Sequence, residues 1–184
     1  EVVGAPFIDA GIIGMAPGRG AGPRFYVSGA DTGPMEALDG KGFEVKAIGA
    51  GTGRASALKM CYAGLTKGTW TLHTAVLLTA EAQGLTAELR DEFAHSQVEA
   101  LAQMESRQHR LAADSERWIG EMEEIARTFA ETGGTPAFHQ GAAEIFRLLA
   151  ETPFASETRE TIDESRTVEE TIRTAARLLP KTGG

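Results

Sequence analysis

The chain has 184 residues, 26 acids against 18 bases for a net charge of −8, and 42% hydrophobic residues. That length suits one domain, or one and part of another, with a real buried core. The acidic balance argues against a nucleic-acid surface and a polybasic membrane patch, and a single cysteine excludes an internal disulfide framework and a multi-cysteine zinc site.

The four histidines are scattered with no paired spacing, so no metal is expected. No apolar run reaches the ~18 residues of a membrane span, and no basic-then-apolar leader opens the chain. A soluble protein of a reducing, cytoplasmic compartment is expected. The start at Glu1-Val2-Val3, without an initiator Met, reads as a piece of a longer chain.

Residues 1–53 hold 13 of the 22 glycines and four of the seven prolines. Short apolar runs bounded by Gly and Pro follow the pattern of strands and turns. Strands are predicted at 7–13, 24–29 and 43–48. A short helix is predicted at 34–38, with Thr32 as N-cap and Gly40 as its stop. Three strands and one short helix cannot close a core, so this segment reads as an α/β remnant, the end of a larger sheet.

From Ala55 the pattern turns helical, and an all-α domain is expected over 54–184. Its first helix, 55–83, is apolar nearly all round and is expected to be buried on several sides. Gly64 and Gly68 allow a close helix crossing there. Further helices are predicted at 86–95, 97–111, 114–132, 137–151 and 167–179. Ser115, Trp118, Met122, Ile125 and Phe129 make an apolar stripe at helical spacing, while Glu121, Glu123 and Glu124 read as a solvated face. The polar stretch 154–166 reads as a mobile linker or short turn.

Gly49-Ala50-Gly51-Thr52-Gly53 follows a strand and opens a helix, but Arg54 stands where G-x-G-x-x-G needs its third glycine. The string reads as a glycine turn between domains. Lys59 sits one turn after Ser56, among Ala57, Leu58, Met60 and Cys61. Partial desolvation there would ease proton loss and suit a general acid or base; the alternative is a lysine that snorkels to keep its amine wet. Lys67, with Thr66 and Trp70 alongside, offers either a basic face for a carboxylate or a solvated edge. Asp9 reads as a ligand-facing acid at a sheet crevice or as a strand-end acid bonded to local backbone. Cys61 reads as inert core, and His73 as core or interface filler.

The strings DAGIIG, RFYVSGA and FEVKAIGAGTGRASALKMCYAGLTKG, with the later RWIGEMEEIARTFAETGGTP, resemble the β-hydroxyacid dehydrogenases. This is the group related to 6-phosphogluconate and 3-hydroxyisobutyrate dehydrogenases, and the likeness covers residues 4–150. It implies the last strands of a Rossmann domain over 1–53. A long interdomain helix and a helical domain like the C-terminal domain of 6-phosphogluconate dehydrogenase would follow over 54–184, completing the substrate site and a homodimer.

The family's substrate motif D-A-P-V-S-G-G falls on Asp9 to Met15, which makes Asp9, Ile12, Ile13 and Gly14 substrate-binding candidates, with Ile13 at the serine position. Its catalytic motif G-x-G-x-x-x-K-x-x-x-N falls on Gly53 to Ala63. Lys59 takes the catalytic lysine position, Ala55 replaces the second glycine, and Ala63 replaces the asparagine. A later K-D pair falls on Glu121-Met122, a charge reversal. Ala63 and Lys67 join the substrate candidates, and Gly51 and Gly53 are the cofactor candidates.

The resemblance thus implies the C-terminal part of an oxidoreductase for a small hydroxyacid-type substrate, using NAD or NADP, with the main nucleotide-binding unit ahead of residue 1. Lys59 would exchange a proton with the substrate hydroxyl, and this piece alone would be inactive. The alternative is a non-enzymatic helical oligomerisation or ligand-binding module.

Overall fold

The computed structural model describes residues 7–15 and 22–180. The chain divides into two compact units, one up to Ala63 and one from Gly64 onward.

The first unit is built on three strands, β1 (Asp9–Ile13), β2 (Arg24–Ser28) and β3 (Glu44–Ala47), in the order β1-β2-β3. β1 is antiparallel to β2, with Asp9 opposite Ser28, and β2 is parallel to β3, with Arg24 opposite Glu44. That register lets Arg24 Nε donate to Glu44 Oε2 at 2.6 Å. Between β2 and β3 lies α1 (Gly33–Glu36). Thr32 occupies its N-cap position, but its hydroxyl caps no backbone amide; Asp31 Oδ1 accepts the Gly33 amide at 2.9 Å instead. The first turns of α2 (Arg54–Ala82) complete the unit, with Val27 and Ala55 fully buried.

The second unit holds the rest of α2 together with α3 (Thr86–Ser96), α4 (Val98–Arg107), α5 (Ala112–Glu131), α6 (Ala137–Ala150) and α7 (Val168–Ala176). The predicted helix 97–111 is shorter than expected. It ends at Arg107 and tightens into a 3-10 turn at Gln108–Arg110, where the Gln108 side chain bonds Thr74 Oγ1 at 2.7 Å and the Trp70 carbonyl at 3.1 Å.

Along α5, Ser115, Trp118, Met122 and Ile125 are buried, as the stripe predicts, and the Trp118 ring lies 5.4 Å from Trp70 and 5.3 Å from Phe146. Of Gly64 and Gly68, Gly64 marks the close crossing, whereas a Cβ on Gly68 would meet His139 at an ordinary 3.6 Å. A Cβ on Gly64 would stand 3.0 Å from His139 Nε2 and 3.2 Å from Ile125 Cγ2.

Two expectations are refined here and one is corrected. The stretch 154–166, expected as a mobile linker or a short turn, takes the turn: a 3-10 turn spans Pro153–Ser156, and buried Arg166 fastens the stretch, pairing with Glu157, donating to the His109 carbonyl at 2.6 Å and stacking over Phe154. A guanidinium with so many donors satisfies loop backbone that would otherwise need water. The long helix, expected to be buried on several sides, leaves one side open at Leu65 and Leu72, which are exposed. Cys61 is exposed as well, because apolar sequence neighbours in a helix point to different faces.

Candidate functional site

Side chains alternate along β1, so Asp9, Gly11 and Ile13 share one face and Ile12 points to the other. On α2, Ala55, Lys59 and Ala63 follow one another at four-residue steps and form one stripe. Strand and helix meet at Gly11: a Cβ there would lie 2.5 Å from the Ala55 carbonyl oxygen and 3.1 Å from Lys59 Cβ. Only a glycine lets the helix come this close, and the contact fixes the stem of Lys59 against β1.

Asp9 holds the start of that helix. Its carboxylate accepts the Ser56 amide at 3.0 Å, the Ser56 hydroxyl, and the Ser28 hydroxyl at 3.1 Å. Ser28 Oγ in turn accepts the Ala55 amide at 3.2 Å. Burial pushes the Asp9 carboxyl up, but the hydrogen bonds from Ser56 and Ser28 together outweigh it and hold Asp9 below its ordinary value. The positive end of the helix favours the same charged form. Asp9 does bond backbone, but not the local backbone expected of a strand-end acid: the amide belongs to Ser56, 47 residues on. Ser28 was missed by sequence reasoning; its signal is its position at the end of β2, where an antiparallel partner brings it opposite Asp9.

Lys59 is half-buried, and among the described residues no hydrogen bond or ion pair engages its amine. Of the other candidates, Ile12 is exposed, Ile13 is half-buried, Ala63 is buried, and Gly14 turns the chain after β1 at φ +115°. Gly51 and Gly53 lie in the turn before α2, where their carbonyls accept the Arg54 and Ala57 amides.

Lys67 belongs to the second unit and does not present a free basic face. Its amine bonds Glu121 Oε1 at 2.9 Å, with both side chains largely buried and Trp118 beneath the ammonium. Glu121 is therefore no part of a solvated acidic face, whereas Glu123 and Glu124 are exposed. His73 is half-buried, and burial lowers its pKa from the ordinary histidine value. Among the described residues no cluster of three metal-ligating side chains occurs, and no helix is long and apolar enough to cross a membrane.

The start of α2 also answers whether a dinucleotide's phosphates fit there. The Arg54, Ala55, Ser56 and Ala57 amides are all taken, by Gly51, Ser28, Asp9 and Gly53 respectively. A carboxylate already fills the position that a phosphate would need. The described residues of this turn do not form a phosphate cradle.

Residues 80–149 match a family model described as a domain of unknown function, DUF1932. A conserved hypothetical protein from Sinorhizobium meliloti 1021 is similar in structure, with TM-score 0.73 and 22% identity, over 94% of this chain and 57% of its own. The conserved protein MTH1747, of unknown function and reported as structurally similar to 3-hydroxyacid dehydrogenases, gives TM-score 0.57 and 26% identity over 78% of this chain and 56% of its own. The chain therefore spans little more than half the length of either. No curated protein matches it.

Proposed function

We propose that this chain, whose fold is that of 3-hydroxyacid dehydrogenase-like proteins, is the substrate-side portion of an oxidoreductase acting on a small hydroxyacid-type molecule. Lys59 is its general acid and base, exchanging a proton with the substrate hydroxyl. The observation that carries this reading is the placement of Lys59 on the stripe packed against Gly11, with its stem fixed and its amine uncommitted. A general base needs such a fixed position and no competing ion pair. Ala63, one turn along the same stripe, and Ile13, on the same face of β1 as Gly11, supply no polar group, so the substrate's own polar groups must be held elsewhere. NAD or NADP as the cofactor belongs to the proposal through the likeness alone. A homodimer is part of the same proposal.

In the full-length protein, Lys59→Ala is expected to lower kcat by about 10²–10⁴. Lys59→Arg rescues little, since a guanidinium stays protonated near neutral pH. Turnover close to normal in either variant returns Lys59 to the role of a snorkelling surface lysine. The 184-residue chain by itself should bind NADH and NADPH no tighter than millimolar in isothermal titration; micromolar binding would contradict the closed helix start. A second reading, a non-enzymatic ligand-binding module, is favoured by that same closure. Failure of the full-length protein to bind either cofactor would put it first.

A further inference from the structure

The glycine turn singled out in the sequence has a use that the Lys59 reading does not absorb. Arg54 lies back over it: its Nε donates to the Ile48 carbonyl at 2.9 Å, and a Cβ on Gly51 would stand 3.0 Å from Arg54 Cδ and 3.4 Å from Cγ. Gly51 does not have the left-handed backbone of Gly49 and Gly53, so what its missing Cβ gives is room for the arginine stem. The guanidinium is thereby held in one orientation on the surface.

No carboxylate among the described residues meets it. In a chain of net charge −8, Arg24 pairs with Glu44, Arg90 with Glu105 and Glu169, and Arg147 with Glu123 and Glu144. Among the described residues Arg54 has no such partner, which leaves Nη1 and Nη2 unclaimed. Beside it opens a recess of about 370 Å³ lined by Ile48, Arg54, Ala57 and Leu58. That volume lies in the range of small-ligand sites. Apart from one guanidinium, its walls are apolar.

We propose that Arg54 and this recess bind a small organic oxyanion, a phosphate monoester or a carboxylate. The two free guanidinium nitrogens take the charged group as a fork, and Ile48, Ala57 and Leu58 take its apolar body. Arginine suits this task because its planar donors match two oxygens at once. The amides at the start of α2 are already bonded, so the side chain alone reads the anion. Arg54 and Lys59 are five residues apart, about 140° around a helix, so this site stands whether or not Lys59 is catalytic.

The test is an amide NMR titration of the ¹⁵N-labelled chain with phenyl phosphate, benzoate and inorganic phosphate. Saturable shifts over residues 48–58 are expected with at least one organic anion, with affinity about tenfold above inorganic phosphate. Phenyl phosphate alone assigns the phosphate class and benzoate alone the carboxylate class. Arg54→Gln, with unchanged shifts over β1 and β2 of the same unit as the folding control, should weaken binding at least tenfold. Leu58→Ser should weaken the organic anion and spare inorganic phosphate. No saturation over 48–58, or binding unchanged in Arg54→Gln, would overturn the site.

Discussion

The carboxylate of Asp9 accepts the Ser56 amide at 3.0 Å across 47 residues of sequence, so a strand residue caps the helix that carries Lys59. A hydrogen bond to a charged group contributes about 1.5–3 kcal/mol, and Asp9→Asn should destabilise the chain by about that much near neutral pH. The folded-state pKa of Asp9 is lowered. Its stabilisation is therefore present above the unfolded value, about 3.9, and is lost as pH falls through the folded value. The gap between wild type and variant should begin to narrow below about pH 4 and close only once pH falls below the folded value. Urea unfolding at pH 7 and pH 3, with hydrogen exchange of the Ser56 amide, checks this. A gap that persists unchanged at pH 3 would show that charge plays no part in the cap.

Gly11→Ala should be damaging in a way that glycine content alone does not foretell. The new Cβ would fall 2.5 Å from a backbone oxygen of α2, and backbone cannot rotate aside. A cost of about 1–3 kcal/mol is expected for such overpacking. Gly120→Ala is the control: inside α5 its Cβ would meet nothing within 4 Å, and alanine should stabilise by up to about 1 kcal/mol. Thermal unfolding of the pair decides it. Equal effects of the same sign would mean that β1 and α2 do not pack as described.

The buried pair of Lys67 and Glu121 should be costly to break singly and cheap to replace together. Glu121→Gln leaves a cation among apolar groups and should cost about 3–5 kcal/mol. The double variant Lys67→Met with Glu121→Leu should recover most of that loss. Lys67 Nζ lies 5.8 Å from the centre of the Trp118 ring, so tryptophan fluorescence follows unfolding at the pair itself. A loss that salt screens away would identify a surface pair instead.

Local grammar made most elements legible. Gly and Pro bounded the three strands, and apolar spacing placed α2, α5 and α6 within a few residues of where they lie, because both signals act over one or two turns. Choice of partner is not local. Nothing near Lys67 announced Glu121, 54 residues on, and the polar stretch ending at Arg166 looked loose because its fastening to His109 spans 57 residues. Cys61 failed for a related reason. Two residues from buried Ala63 on a helix is about 200° around it, and an apolar neighbourhood in sequence is no guide to which face a side chain takes. Of the candidate site, apolar neighbours and the motif resemblance singled out Lys59, whose role belongs to the proposal, whereas the cap formed by Asp9 and Ser28 depends on sheet register and has no local signal.

Leu65 and Leu72 on α2 are 75% and 62% exposed, and their separation of seven residues is that of a helix–helix seam. Each leucine buried against a partner would contribute about 1.5–3 kcal/mol, and a two-fold partner meets such a face with its own copy. A homodimer is expected in sedimentation equilibrium at micromolar concentration. Leu65→Glu with Leu72→Glu should give a monomer with an unchanged circular dichroism spectrum, because neither side chain supports the interior of its own unit. A monomeric wild type would mean that this face remains in water, and a variant that unfolds would mean that the two leucines belong to the core after all.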